Sequence, residues 1–186
     1  MGAFIKTKYI DVLLTNYIDD HFIKNEKLEY TTIGENKKKN INMKKDRFKY
    51  ADKGLNIAII EILKEDKVSN FIEIDDVNKA EEKYKNKSII YFGQISNGLE
   101  TFEGKIKDIS EKIFLNSEED PINEKGSPLI LKSNSKMIGL YVYEKKALSI
   151  KTIVNKMELM LISKRKNNNE INYIKCKYKK EKKNSI

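Results

Sequence analysis

The run Asn123-Glu124-Lys125-Gly126-Ser127-Pro128-Leu129-Ile130-Leu131, followed by Lys136-Met137-Ile138-Gly139-Leu140, decides how the rest of the chain is read. It passes from a polar turn into the apolar stretch Pro128–Leu131, a short strand candidate. Lys136–Tyr143 is a stronger candidate, rich in β-branched and aromatic residues. The same period-2 grammar recurs upstream. Tyr9–Leu14 puts Ile10, Val12 and Leu14 on one strand face. Leu55–Ile62 puts Ala58, Ile60 and Ile62 on one side, and Ser88–Phe92 reads the same way. Weaker candidates are Gly2–Ile5, Leu28–Ile33, Lys39–Met43, Thr101–Ile109 and Lys112–Asn116. Many short strands between polar turns argue for an all-β barrel or sandwich.

One helix is expected, over Ile153–Ser163, where Ile153, Met157, Met160 and Leu161 form an apolar stripe that reads as core packing. Asp75–Lys87 is highly charged and has no apolar periodicity, so it marks a boundary between two strand groups. The expected division is 1–78, 79–163 with the closing helix, and a basic tail over 164–186.

The 186 residues are 39% hydrophobic and 35% charged, which suits a folded chain rather than a disordered one. No apolar run approaches the ~18 residues of a membrane-spanning helix. The opening residues lack the pattern of a secretory signal, and Lys6 stands where a myristoylation motif needs Ser or Thr. The single Cys176 excludes an intramolecular disulfide and a four-Cys zinc site, and the lone His21 argues against a His-rich metal centre. The expectation is a soluble intracellular protein without a cofactor. Nine basic and two acidic residues lie in 163–186, a net +7, which leaves +2 for the rest. Such a tail is a solvated, solubilising extension. Alternatively it binds nucleic acid or an anionic membrane surface through Lys175, Lys177, Lys179 and Lys180, with Tyr173 and Tyr178 available for stacking.

The segment Gly126-Ser127-Pro128 followed by Ile138-Gly139 resembles the region around the nucleophile of trypsin-like serine peptidases, which reads Gly-x-Ser-Gly-Ser-Pro and then Val-Ile-Gly-Ile. Asp11–Asn16 resembles the strand that ends in Thr-Asn-x-His-Val, and Leu55–Ile62 the strand that carries the triad acid. Gly2-Ala3-Phe4-Ile5 is similar to the family's opening strand. The resemblance spans roughly residues 2 to 163. It implies two six-stranded antiparallel Greek-key barrels with a closing helix.

It also places the triad histidine position on Ile18, the acid position on Asn56, the nucleophile position on Lys125 and an oxyanion-hole glycine on Asn123. Ile18 has no lone pair with which to take a proton. Asn56 lacks the charge that stabilises an imidazolium, a loss worth about 10⁴ in rate in the triad template. Lys125 offers a cation in place of a hydroxyl. A shifted triad of His21, Asp52 and Ser127 would need all three to converge within about 3 Å, and a Lys125–Ser127 dyad would need a desolvated lysine. The segment expected to line the specificity pocket reads Leu140-Tyr141-Val142-Tyr143-Glu144-Lys145-Lys146, with Tyr141 and Tyr143 either filling the groove or binding a peptide along its edge. The expected protein is therefore a pseudoprotease: no catalytic residue, no enzyme activity, and a protein or peptide partner on the former substrate face. The alternatives are an active endopeptidase with a relocated triad and a nucleic-acid binder acting through its tail.

Overall fold

The computed structural model describes residues 1–8, 10–18, 27–33, 37–76, 81–95, 98–109, 112–116 and 125–160. Six strands form the first half: β1 (Gly2–Lys6), β2 (Asp11–Thr15), β3 (Lys27–Tyr30), β4 (Lys39–Asn42), β5 (Phe48–Asp52) and β6 (Ile57–Glu61). Six form the second: β7 (Ser88–Ile95), β8 (Gly98–Ile109), β9 (Lys112–Asn116), β10 (Pro128–Leu131), β11 (Met137–Tyr143) and β12 (Lys146–Ser149). A helix, α1, follows over residues 150–160. Short 3₁₀ turns cover Lys45–Arg47, Lys64–Asp66 and Glu81–Tyr84.

The second half is a closed barrel in the order β10-β11-β12-β9-β8-β7. Its interior holds Ile89, Tyr91, Phe102, Ile106, Ile113, Leu129, Ile138 and Tyr141. Gly139 lies where β11 and β12 come close, since a Cβ there would stand 2.7 Å from the Leu148 carbonyl oxygen and 2.8 Å from Ile113 Cδ1. A strand glycine marks such close approach.

Among the described residues the first half, expected as a further barrel, does not close. Its strands divide into a four-stranded sheet, β1-β2-β6-β5, and a separate β3-β4 pair. Among the described residues, β1 meets beyond β2 a parallel bridge, Ile5 to Ile72. The β3-β4 pair is held by side chains instead. Ile41 and Met43 are buried with Leu13, Ile60 and Ile62, and the Phe4 and Tyr30 rings meet edge-on at 5.0 Å.

The stretch 57–60 is buried on both faces rather than one. Ile57 and Ile59 face one core while Ile60 and Ile62 face the other. The first of these cores is shared by both halves. Ala3, Ile5, Val12, Leu14, Ile57 and Ile59 pack with Met137, Leu140 and Leu148 and with Ile150, Ile153 and Met157 of the α1 segment. Ile153 and Met157 thus face the core while Leu159 is exposed, and Leu161 lies outside the described residues.

The charged stretch after the first half is anchored rather than a bare linker. Residues 72 and 74 bridge to Ile5 and Met137. Asp75, 3% exposed, accepts a 2.7 Å hydrogen bond from the Tyr84 hydroxyl. Burial first, and then this carboxylate, pushes the Tyr84 phenol above its ordinary pKa. Asn134 Nδ2 approaches the other Asp75 oxygen at 3.4 Å. Arg47 and Asp66, each with a 4% exposed side chain, form a two-pronged pair at 2.9 and 2.7 Å that ties the first 3₁₀ turn to the second. Asp66 also accepts from the Leu63 amide at 2.8 Å.

Candidate functional site

Four segments converge where the two halves meet. Asn56 stands in the tight turn between β5 and β6 with φ +52°, a left-handed angle that asparagine tolerates better than most residues. Its Oδ1 accepts from the Tyr17 amide at 3.3 Å, and its Nδ2 donates to the Val142 carbonyl at 3.4 Å. One side chain thereby links the segment after β2 to β11 of the barrel. Ile18, next to Tyr17, packs partly buried against the core of the β3-β4 side.

The turn 125–127 closes the other side. Lys125 is exposed. Gly126 has φ +84°, and a Cβ there would lie 2.2 Å from the Met1 carbonyl oxygen and 2.9 Å from the Asn16 amide nitrogen. No other residue fits that space and backbone angle without a shift. The Gly126 amide donates to Tyr141 O at 2.9 Å, and Tyr141 N donates to Ser127 O at 2.8 Å. Ser127 is fully buried, and its Oγ accepts from the Phe92 amide at 2.7 Å. That hydroxyl braces β7 against the turn before β10.

Tyr141 is 1% exposed, and its ring stacks on Tyr91 at 5.5 Å inside the barrel. Its hydroxyl accepts from Lys145 N at 2.7 Å. The ring belongs to the barrel core. Tyr143 is half-buried, with the Lys146 ammonium over its ring at 5.3 Å. After Tyr143 the chain reverses through Glu144 and Lys145, both at positive φ (46° and 58°), straight into β12. Positive φ at both central positions is the two-residue hairpin turn that matches strand twist. Of the stretch expected to line a groove, residues 140–143 are β11, Glu144 and Lys145 make this turn, and Lys146 opens β12.

Asp52 ends β5. Its carboxylate accepts from the Leu55 amide at 3.0 Å and the Tyr50 hydroxyl at 2.7 Å, and these bonds, the backbone one foremost, hold it below the usual carboxylate range. His21, Asn123, Lys175, Lys177, Lys179 and Lys180 lie outside the described residues. Among the described residues no three His, Cys, Asp or Glu side chains gather as a metal site, and no helix is long and apolar enough to cross a membrane.

Sequence reasoning missed a cavity of ≈ 410 Å³ beside this junction. Phe4, Leu28 and Tyr30 of the first half face Phe92, Pro128 and Ile130 of the barrel across it. Ile33 and Leu99 also line it and are 61% and 48% exposed. Its residues come from six separate strands, so no local pattern announces it.

No family model matches the chain, and no curated protein matches it in sequence. Solved structures do match. Deg5 is 18% identical, with a TM-score of 0.56 over 82% of this chain and 79% of that one. A serine endoprotease from Yersinia pestis is 14% identical, with a TM-score of 0.56 over 86% of this chain and 61% of that one. At these identities the likeness is one of fold: the chain shares the trypsin-like fold of these two structures.

Proposed function

We propose that the chain is a trypsin-like protease homologue that has lost its triad and works as a protein- or peptide-interaction module. The arrangement at Asn56 carries this reading. An amide side chain receives the Tyr17 amide and reaches the barrel, and the residue beside Tyr17 is an isoleucine. An imidazole at Ile18 and a carboxylate at Asn56 would make the general-base pair of the resemblance; the residues present neither take up a proton nor stabilise one.

A relocated nucleophile gains no support from Ser127. Its oxygen is fully buried and already accepts a backbone hydrogen bond, whereas an attacking hydroxyl must be reachable by substrate and paired with a base. The hairpin at Glu144–Lys145 leaves little extended edge for a substrate beyond Tyr143, so a partner is better sought at the apolar cavity than along β11.

The test is covalent labelling of the full chain with a fluorophosphonate probe beside an intact serine protease. The chain is expected to stay unlabelled while the control reacts. Stoichiometric labelling at any serine would overturn the reading.

A further inference from the structure

Large apolar side chains exposed to solvent are few among the described residues. Three of the four, Met1, Ile33 and Leu99, line the ≈ 410 Å³ cavity at the junction, and the fourth, Leu159 on α1, lies elsewhere. A single exposed apolar side chain is ordinary, but a gathering of them at one concave apolar site marks a place of binding. The walls come from both halves. Phe4 of β1 and Tyr30 of β3 stand on one side, with Phe92 of β7 and Ile130 of β10 on the other. The volume falls among small-molecule sites, which run from about 300 to 1,000 Å³. An apolar cavity of about 150 Å³ holds one benzene, so ≈ 410 Å³ has room for about two to three linked rings.

The lining also selects the chemistry. The Glu29 carboxylate takes the Lys38 ammonium at 2.7 Å, the Met1 ammonium donates to the Lys125 carbonyl at 3.3 Å, and the Thr15 hydroxyl donates to the Met1 carbonyl at 2.6 Å. With these groups engaged, a charged ligand would enter an apolar site without a partner, which is costly. Rings make up the rest of the wall. Phe4 meets Tyr30 edge-on at 5.0 Å and Phe71 edge-on at 6.4 Å, so its ring is held from two sides before any ligand arrives. Such rings favour a further ring, offset-stacked or edge-on, beyond what buried area alone gives. A preset wall also spares part of the ordering cost of binding.

We propose that this cavity is a binding site for a small uncharged aromatic molecule of about two to three rings, seated between the two halves against Phe4, Tyr30 and Phe92. The site goes beyond the interaction role proposed above and stands whether or not the triad is lost. A ligand so placed touches β1 and β3 on one side and β7 and β10 on the other, so its binding braces the halves and raises thermal stability.

The probe is N-phenyl-naphthylamine, an uncharged three-ring dye that brightens in apolar surroundings, titrated into the full chain. Saturable one-to-one binding at micromolar concentration is expected, with the melting temperature raised by about 3–6 °C at about ten times Kd. Ile33→Lys and Leu99→Lys, at exposed positions of the lining, should each weaken binding by about fivefold or more. Leu159→Lys, exposed but away from the cavity, should leave it unchanged. Circular dichroism first shows that each variant is folded. Anilinonaphthalene sulfonate, an anion with the same rings, should bind about tenfold more weakly or worse. The proposal is overturned by an absence of saturable binding, by unchanged affinity in Ile33→Lys and Leu99→Lys, or by an equal loss in Leu159→Lys. Equal affinity for the sulfonate, or displacement of the dye by dodecanol as readily as by naphthol, would also overturn it. The loss of the triad is judged separately by fluorophosphonate labelling, which none of these measurements touches.

Discussion

Replacing Asn56 separates two roles that one side chain now plays. Asn56→Gly keeps the backbone angle free of strain and removes both hydrogen bonds, whereas Asn56→Ala removes the bonds and also forces a Cβ-bearing residue to hold φ +52° without a local polar partner. The bonds are long, 3.3 and 3.4 Å, and only partly buried, so each contributes at the weak end, about 0.5 to 1 kcal/mol. The glycine variant should then lose about 1 to 2 kcal/mol. Alanine should lose about 1 kcal/mol more from the left-handed backbone. Urea unfolding followed by circular dichroism reads both. With a slope of about 2 kcal/mol/M, the midpoints should fall by about 0.5–1 M for glycine and about 1–1.5 M for alanine, the slope unchanged. Asn56→Asp keeps the acceptor for Tyr17 N but sets a carboxylate beside the Val142 carbonyl, so it should fall below wild type and gain no hydrolytic activity while Ile18 remains. An alanine variant as stable as wild type would refute the view that this residue ties the two halves together.

Arg47→Met should destabilise by about 3–5 kcal/mol because it strands Asp66 in a buried site, while Arg47→Met with Asp66→Leu should recover most of that loss; thermal melts of both variants and the parent decide it. Gly126→Ala should lower the melting temperature by several degrees, since the new methyl meets the Met1 carbonyl and the residue must hold φ +84°. The pH dependence has a definite sign at Tyr50, whose phenol pKa burial and the Asp52 hydrogen bond push up to about 12. Its proton is held more tightly in the folded state than at the ordinary value near 10, so its contribution is full below about pH 10 and is lost as pH rises through about 12. Tyr50→Phe should flatten the decline of stability across that window relative to wild type. A decline that keeps the same steepness would show that Tyr50 does not govern it.

Asp11–Thr15 and Met137–Tyr143 were legible because apolar runs with β-branched and aromatic residues mark strands, although both are buried at nearly every position rather than on one face. Phe48–Asp52 and Lys146–Ser149 were not. The first mixes two aromatics with charges and no β-branched residue, and the second is only four residues long. The helix stripe through Ile153 and Met157 was legible, yet its packing against the first sheet was not, because that contact joins residues 3–14 to residues 150–157. At the candidate site the glycine turn could be read from Gly126-Ser127-Pro128. The burial of Tyr141 could not, since a tyrosine in an alternating strand gives no sign whether its face looks into a barrel or out of it. The buried Asp75–Tyr84 bond sits in a stretch whose composition says solvent, and only the fold brings the two together.

The core shared between the first sheet and α1 also sets an order of events during synthesis. Ala3, Ile5, Val12, Leu14, Ile57 and Ile59 precede in the chain the side chains that cover them, Met137 through Met157. During synthesis this sheet is therefore made before its apolar cover. A chain cut short before residue 150 is expected to leave that sheet face bare and to lose cooperative unfolding.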